Sequence, residues 1–217
     1  MSFSEYLREN WQDLLNLSVQ HLVLVLISVG IATVIGVALG VATYGSAAQW
    51  PRTLVLGVTG VFLTIPSFAL FGLLIAPIGI GYTPAVFALV MYALLPIVRN
   101  TITGLRGVDA SVRESALAVG MGRWRRLVQI ELPLAWPVIL TGIRVATLLD
   151  VGIAAIAAYV GGPGLGHDIF DGLDRIGFPV ALNLALAGTL GVIVVAIVLD
   201  VFFLVFGKLT TSRGIRG

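Results

Sequence analysis

The chain has 217 residues, of which 58% are hydrophobic and only 11% are charged, and its net charge is +2. Soluble domains carry about 25% charged residues, so the composition excludes an ordinary soluble domain and indicates an integral membrane protein. The sequence has no cysteine, which excludes disulfides, thiolate metal sites and cysteine nucleophiles. His21 and His167 are too far apart for a metal-ligand motif, so we expect neither a metal site nor catalytic residues.

Residues 1–20 are predicted to form an amphipathic helix. Leu7, Trp11 and Leu14 recur at three- and four-residue steps, with charged side chains between them. Such a helix lies in the membrane interface on the outer side, with Trp11 at headgroup depth. A helix that packs against a partner subunit fits the same pattern. We expect residues 21–207 to form the membrane domain and residues 208–217 to form a tail.

Five apolar segments of the membrane domain are long enough to cross a bilayer. The 22 residues of the first would cover about 33 Å as a helix, against about 30 Å of hydrocarbon. The predicted fold class is therefore an all-α membrane protein with five transmembrane helices, at about 22–43, 54–75, 84–104, 136–160 and 180–206.

Glycine and proline mark special points in these spans. Gly36 and Gly40 form a small-xxx-small pair, which is typical of a helix-packing face in membranes. Pro66 and Pro96 fall inside the second and third spans, where an interior proline bends a helix. The segment 161–179, rich in glycine and aspartate, is predicted to be an exposed or partly re-entrant loop.

The basic residues predict the orientation. Ten of the thirteen lie on one side of the five spans, two lie on the other side, and Arg144 lies within the fourth span. Cytoplasmic loops carry an excess of Lys and Arg, so we expect the N-terminus outside and the C-terminus in the cytoplasm. The ten on the cytoplasmic side are Arg52, Arg99, Arg106, Arg113, Arg123, Arg125, Arg126, Lys208, Arg213 and Arg216.

The segment ESALAVGMGRWRRLVQIELP, on that cytoplasmic side, is the longest one that cannot be a membrane span. Ser111 and Glu114 have the spacing of a capping box, which predicts a helix beginning near Val112. Gly120 is placed to end it with a left-handed cap. A second short helix is predicted over residues 123–130, stopped at Pro133 because the residue before a proline avoids helical angles. We interpret the segment as a docking element.

Its spacing resembles the signature of ABC importer permeases, which is Glu-Ala-Ala, three residues, Gly, nine residues and Ile-x-Leu-Pro. Ser115 departs from the usual alanine, a small-for-small change. The residues at the signature positions are Glu114, Ser115, Ala116, Gly120, Ile130, Leu132 and Pro133.

The resemblance implies the type I importer permease fold, in which this loop is a cytoplasmic coupling helix docking into an ATPase subunit. ATP and Mg would lie on that partner, so this chain would hold no cofactor and would not be an enzyme. The sequence indeed lacks a G-x-x-x-x-G-K-[ST] motif. Two permease chains (identical or paralogous), two ATP-binding subunits and an external binding protein or domain would assemble in a bacterial or archaeal inner membrane, with no nucleic-acid partner.

The run GIRVATLLDVGIAAIAAYVGGPGLG and the N-terminal ENW pattern resemble permeases for osmoprotectants such as glycine betaine, choline and carnitine. Methionine-type permeases share the glycine-rich segment and are the alternative. An ion-driven secondary carrier would need paired intramembrane charges or an inverted repeat, whereas we find isolated charges and no repeat.

We assign Arg144 and Asp150 to the interior of a span. Arg144 lies nearer the cytoplasmic end, where it snorkels or binds a carbonyl. Asp150 lies nearer the midplane, where we expect it to face the dimer axis or the pathway and to meet a cationic substrate or a residue of a partner chain; a structural pairing is the alternative. Six residues apart on a helix is about 240°, so the two do not face each other.

Asp168, Asp171 and Asp174 recur at three-residue steps on the predicted outer side. They are candidates for docking an external binding protein or for the rim of an outer gate. A solvated helical turn is the alternative interpretation.

Overall fold

The structure is a computed structural model that describes residues 2–45 and 48–211. Its long helices are formed by the apolar runs of the sequence. The described residues are helical, without strands, which confirms the all-α fold class. Helices α1 to α10 cover Phe3–Glu9, Trp11–Tyr44, Trp50–Thr64, Ser67–Ile78, Tyr82–Arg106, Ala110–Ala118, Arg123–Arg126, Leu132–Ala157, Gly166–Asp174 and Ala181–Thr210.

Within the described ranges, four continuous helical stretches are long and apolar enough to cross a membrane. They are α2, α5, α10 and the stretch Arg123–Val160, which contains α7 and α8. Helices α3 and α4 together make a fifth candidate span, bent by 99°. Counted as one broken span, this pair brings the number to the predicted five; counted as a re-entrant loop, it leaves four. Helix α10 continues to Thr210, beyond the predicted limit, and most of the predicted tail, residues 212–217, lies outside the described residues.

The predicted amphipathic helix over residues 1–20 is not a single element. Helix α1 begins with a capping box, in which the Ser2 hydroxyl accepts from the Glu5 amide at 3.3 Å. It ends at Asn10, and Trp11 already begins the helix of the first span. No glycine or proline interrupts the polar first turns of α2, so the helix extends for 34 residues, or about 51 Å.

The predicted bend at Pro66 is a full break. Ile65 has extended backbone angles, as the residue before a proline prefers, and this separates α3 from α4. The Tyr92 hydroxyl of α5 donates to the Ile65 carbonyl at 2.7 Å, which satisfies an acceptor at the break. Helix α5, in contrast, continues through Pro96 without interruption.

Helix α5 lies at the centre of the bundle and packs mainly against α2 and α8. Glycines allow the close approach: a Cβ on Gly36 would lie 2.8 Å from Ile97, and one on Gly40 would lie 2.5 Å from Thr101. The predicted packing role of the Gly36–Gly40 pair is therefore confirmed. On the other side of α5, a Cβ on Gly142 would lie 2.8 Å from a backbone carbonyl.

The glycine-rich segment after α8 is not an exposed loop over its first part. Leu165 is fully buried, and a Cβ on Gly166 would lie 2.0 Å from the Ala155 carbonyl oxygen. Gly164 has a φ of +119° and lies against His21 of α2. The segment therefore folds back onto α2 and α8 before α9 packs along α10.

Candidate functional site

Five of the seven signature residues lie in the loop between α5 and α8, which we call the connecting loop (residues 107–131), and Leu132 and Pro133 begin α8. Its helix α6 is capped by Asp109, whose side chain accepts from the Ser111 amide at 2.8 Å. The predicted capping box of Ser111 and Glu114 is therefore wrong, because Asp109 already caps the helix two residues earlier. These hydrogen bonds from Ser111 lower the pKa of Asp109, so the cap is charged at neutral pH.

Helix α6 ends in the predicted glycine turn. Gly120 has a φ of +79°, in the left-handed region. The Met121 amide donates to the Ala116 carbonyl at 3.0 Å, and the Gly120 amide donates to the Leu117 carbonyl at 2.9 Å. These two bonds form a Schellman motif, which satisfies the last carbonyls of α6 and reverses the chain towards α7.

The predicted stop at Pro133 does not occur. Helix α7 continues through a π-helical segment, Leu127–Glu131, directly into α8. A proline ring clashes with the carbonyl four residues earlier in a regular α-helix. The wider π turn, in which the Leu132 amide donates to the Leu127 carbonyl, lets the helix pass Pro133. The connecting loop is therefore continuous with the fourth span.

The signature residues divide into exposed and buried groups. Glu114, Ser115 and Gly120 are exposed on α6 and its turn, and Pro133 is exposed on α8, whereas Ala116 is buried. Three of the seven signature residues meet in one shallow groove, whose lining is Ser111, Val112, Ser115, Ala116, Val119, Met121 and Ile130. Leu132 and Pro133 line a different groove, which also includes residues of α2 and α10.

Three large apolar side chains close to Glu114 in the sequence are exposed. Leu117 is 56% exposed, Val119 78% and Trp124 75%, and Trp124 stands at the start of the candidate span stretch Arg123–Val160. Glu114 forms no hydrogen bond or ion pair with another described residue. We call this exposed set, Glu114, Leu117, Val119 and Trp124, the docking surface.

Sequence reasoning missed the buried charge beneath the docking surface. Glu131 is 1% exposed and accepts from the Arg126 Nε at 2.8 Å and from the Tyr44 hydroxyl at 2.5 Å. The Arg113 Nε lies 3.8 Å from the same carboxylate. A signal was present: a lone acidic residue within the apolar run QIELPLAW, just after several arginines, requires a cationic partner if it is buried.

Arg144 neither snorkels nor binds a carbonyl. Its Nε and Nη2 donate to the two carboxylate oxygens of Asp200 in α10, at 2.6 and 2.8 Å. We overlooked Asp200, which falls within the range predicted for the fifth span. Arg144 is therefore paired with a second intramembrane charge, contrary to our expectation of isolated ones.

Asp150 lies buried inside the chain. Its side chain is fully buried in α8, and neither carboxylate oxygen has a hydrogen-bond partner among the described residues. As predicted, it does not meet Arg144. A functional role for Asp150 stays a prediction.

The three aspartates of α9 have different surroundings. Asp171 and Asp174 are exposed, and Asp171 lies 4.0 Å from Arg175 in a weak ion pair. Asp168 is half-buried. Burial raises the pKa of Asp168, and the carboxylate of Asp171 raises it further. The arrangement is that of a helix with one exposed acidic face, and docking at this face stays a prediction.

A stretch that includes most of these helices matches a known protein family. The family is described as "Binding-protein-dependent transport system inner membrane component", and the match covers residues 32–211. The chain belongs to this family. It is accordingly a multi-pass inner-membrane permease of the ABC importer kind. Membership sets aside the ion-driven carrier, even though Arg144 and Asp200 supply one pair of intramembrane charges.

Curated relatives resemble this permease over nearly its whole length. The osmoprotectant import permease protein OsmW of Salmonella typhimurium is 42% identical and covers 100% of both chains. The glycine betaine/carnitine/choline transport system permease protein OpuCB of Bacillus subtilis is 35% identical and covers 98% of this chain and 95% of its own. The carnitine transport permease protein OpuCB of Listeria monocytogenes is 37% identical. These similarities agree with the osmoprotectant resemblance of the sequence.

Solved structures share the fold of this permease. An inward-facing structure of the MetNI methionine ABC transporter has a TM-score of 0.80 at 21% identity, covering 92% of this chain and 96% of the other. An amino acid ABC transporter with histidines has a TM-score of 0.73 at 17% identity and covers 98% of this chain and 99% of the other. At such identities the likeness concerns the fold alone, and the fold is that of ABC importer permeases, as predicted.

Proposed function

We propose that this permease forms the membrane pathway for osmoprotectants such as glycine betaine, choline or carnitine, in an importer that ATP hydrolysis on a separate subunit drives. The docking surface contacts that ATP-binding subunit, which holds the ATP and Mg. A complete importer has two such subunits, a second permease chain and an external binding protein. The observation that carries the coupling part of the proposal is the docking surface.

Leu117, Val119 and Trp124 are large apolar side chains exposed in α6, in the turn after it and in α7, and Glu114 is exposed on α6. An exposed apolar cluster with a polar rim is typical of a protein contact. The short α6 is held in place by its cap and Schellman motif, so it can enter a cleft as a preformed element. Little ordering entropy would then oppose binding.

The orientation is part of the proposal. Basic residues gather at the connecting-loop end, and a cytoplasmic location of this end follows from the excess of Lys and Arg in cytoplasmic loops. The C-terminus then lies in the cytoplasm and the N-terminus outside, with α9 near the outer side. Two of the basic residues counted, Arg213 and Arg216, lie outside the described residues.

Support for the cargo comes from the relatives. Three curated relatives over nearly their full lengths are named for osmoprotectant, glycine betaine, carnitine or choline transport. The methionine transporter among the solved structures supports the fold and does not favour methionine as the cargo. Methionine uptake remains an outcome that the experiment can return.

The coupling part is tested by co-expressing the permease with its cognate ATP-binding subunit and measuring their association. We expect Glu114→Lys to abolish both association and uptake, because it reverses the charge of the docking surface. Glu9→Lys, the same change at an exposed site of α1, serves as the matched control and leaves both unchanged. Normal association and uptake in Glu114→Lys would refute the docking role.

The cargo part is tested by uptake of radiolabelled glycine betaine, choline, carnitine and methionine into proteoliposomes that hold the complete importer. We expect ATP-dependent uptake of at least one of the three quaternary amines and none of methionine. ATP-dependent uptake of methionine alone would overturn the cargo assignment while leaving the coupling proposal intact.

A further inference from the structure

We propose that Glu131 is a positioning residue that fastens α6 to the fourth span and to the end of the first span, so that a displacement of α6 moves both. The proposal rests on the proposed contact of α6 with an ATP-binding subunit. The contacts of Glu131 lie beneath the docking surface and determine how a force applied there enters the membrane domain.

The carboxylate of Glu131 is the meeting point of separate elements. Glu131 is the last residue of the π-helical segment and is continuous with α8. Its Oε2 accepts from the hydroxyl of Tyr44, the final residue of α2, at 2.5 Å. Its Oε1 accepts from Arg126 of α7 at 2.8 Å. One buried side chain thus joins the first span to the stretch that becomes the fourth.

Arg113 extends this cluster to α6. Its Nε lies 3.8 Å from the Glu131 Oε1, and its Nη2 donates to the carbonyl of Leu105, near the end of α5. Leu105 is fully buried and belongs to the central helix of the bundle. Arg113 therefore connects the docking helix to the third span directly and to the first and fourth spans through Glu131.

Burial makes this connection stiff. A carboxylate that is 1% exposed has no water to replace a lost cation, so displacing α6 away from Glu131 would leave a buried charge with less compensation. Moving α6, α7 and the end of α2 together keeps every partner in place. The cluster therefore favours joint movement over sliding of α6 across the bundle.

The π-helical segment makes the pairing of Arg126 and Glu131 possible. Residues five apart on an α-helix lie about 140° apart around the axis and do not meet. In a π-helix the hydrogen bonds run from residue i to i+5, which brings positions five apart onto one face. The same irregularity that lets the helix pass Pro133 thus turns the Glu131 carboxylate towards Arg126.

The first experiment measures coupling in proteoliposomes that hold the complete importer with glycine betaine as cargo. We expect Glu131→Ala to retain the ATP-binding subunit but to lower the cargo taken up per ATP hydrolysed at least tenfold. The exchange Arg126→Glu with Glu131→Arg restores the ion pair, and we expect it to recover a substantial part of that ratio. Gln129→Ala, in the same π-helical segment but exposed, is the matched control and leaves the ratio unchanged.

The second experiment does not depend on transport. The chain has no cysteine, so spin labels can be placed at Ala118→Cys on α6 and Val145→Cys on α8, both exposed sites. We expect one narrow distance distribution in the parent and in Gln129→Ala, and a broad one in Glu131→Ala, with Glu131→Gln between them.

An unchanged distance distribution in Glu131→Ala, or an unchanged ratio of uptake to hydrolysis, would overturn the proposal. Failure of the proposed function has a different result: the parent permease would bind no ATP-binding subunit, while the spin labels would still report whether Glu131 holds α6 against α8. If the Glu131→Ala chain does not fold, the distance distribution and the ratio of uptake to hydrolysis are measured in Glu131→Gln instead.

Discussion

Arg144 of α8 and Asp200 of α10 form a two-pronged ion pair, with Nε–Oδ1 and Nη2–Oδ2 distances of 2.6 and 2.8 Å. Both residues lie well inside helices that are apolar enough to cross a membrane. Two parallel hydrogen bonds between planar groups fix the rotation of one helix relative to the other. Together with the hydrogen bond from Trp136 Nε1 to the Thr210 hydroxyl at 2.9 Å, this pair fixes which face of α10 meets α8.

Removing one partner of this pair should destabilise the permease more than removing both. Asp200→Leu leaves an unpaired arginine inside the membrane, where insertion scales give a cost of about 2.5–3.5 kcal/mol. Arg144→Met leaves an unpaired carboxylate in the same way. We expect each single variant to lower the midpoint of thermal unfolding in detergent, and the double variant Arg144→Met with Asp200→Leu to return towards the parent. A double variant as unstable as the sum of the singles would contradict this explanation.

The contact of Gly40 with Thr101 predicts a steric effect of a single methyl group. A Cβ at Gly40 would lie 2.5 Å from the Thr101 methyl carbon, so Gly40→Ala should cost about 1–3 kcal/mol of unfolding free energy through overpacking. Gly30→Ala on the same helix has open space around its Cβ and should be neutral or slightly stabilising. Thermal unfolding of the two purified variants distinguishes them, and equal effects would argue against close α2–α5 packing.

The hydrogen bond from Tyr92 to the Ile65 carbonyl predicts the effect of deleting one hydroxyl. Tyr92→Phe keeps the ring but leaves that carbonyl without its donor at the break between α3 and α4. An unsatisfied buried acceptor costs about 1–3 kcal/mol, so the unfolding midpoint should fall. Tyr82→Phe, at the exposed start of α5, should leave the midpoint unchanged. If both variants behave like the parent, the break does not depend on Tyr92.

The surroundings of Asp168 predict a pH dependence of stability. Burial raises its folded pKa, Asp171 and Asp13 raise it further, and His167 opposes them. The folded state therefore favours the protonated carboxyl of Asp168. The stability that this carboxyl contributes is present at low pH and is lost as the pH rises through its raised pKa. Accordingly, Asp168→Asn should be more stable than the parent at neutral pH, and the difference should shrink near pH 4, about the ordinary pKa of aspartate.

Thermal unfolding at both pH values measures the effect. Asp174→Asn, at an exposed position of the same helix, should change little at either pH. If the difference in unfolding midpoint between the parent and Asp168→Asn is the same at both pH values, ionisation of this carboxyl is not the cause.

Sequence patterns predicted the parts of the fold that depend on local rules. The apolar lengths gave the spans, Gly36 and Gly40 gave a packing face, and Gly120 gave the turn after α6. Each depends on a short stretch of sequence: the spans on the length of an apolar run, the packing face on two glycines that allow close helix approach, and the turn on one glycine with left-handed angles. The signature residues Glu114 and Ser115 were located by their spacing and are exposed, although their contact with a partner stays a prediction.

What sequence reasoning missed depends on distant parts of the chain. Asp109 could cap α6 because the chain enters the helix two residues earlier than the Ser111 pattern suggested. The partner of Arg144 lies 56 residues away in α10, and Glu131 is held by Tyr44, 87 residues earlier. Pro133 is a stop signal in an α-helix, and only the π turn before it removes the clash.

The continuous helical stretch Arg123–Val160 sets a simple geometric relation between the two ends of the molecule. Its 38 residues span roughly 57 Å at 1.5 Å per residue. Moving as one body, a stretch of that length would act as a lever: a tilt of about 5° around its middle would move each end by roughly 2.5 Å, in opposite directions. A small displacement next to α7 would thus appear, reversed in sign, at the glycine-rich segment against His21, without any change in the helix itself.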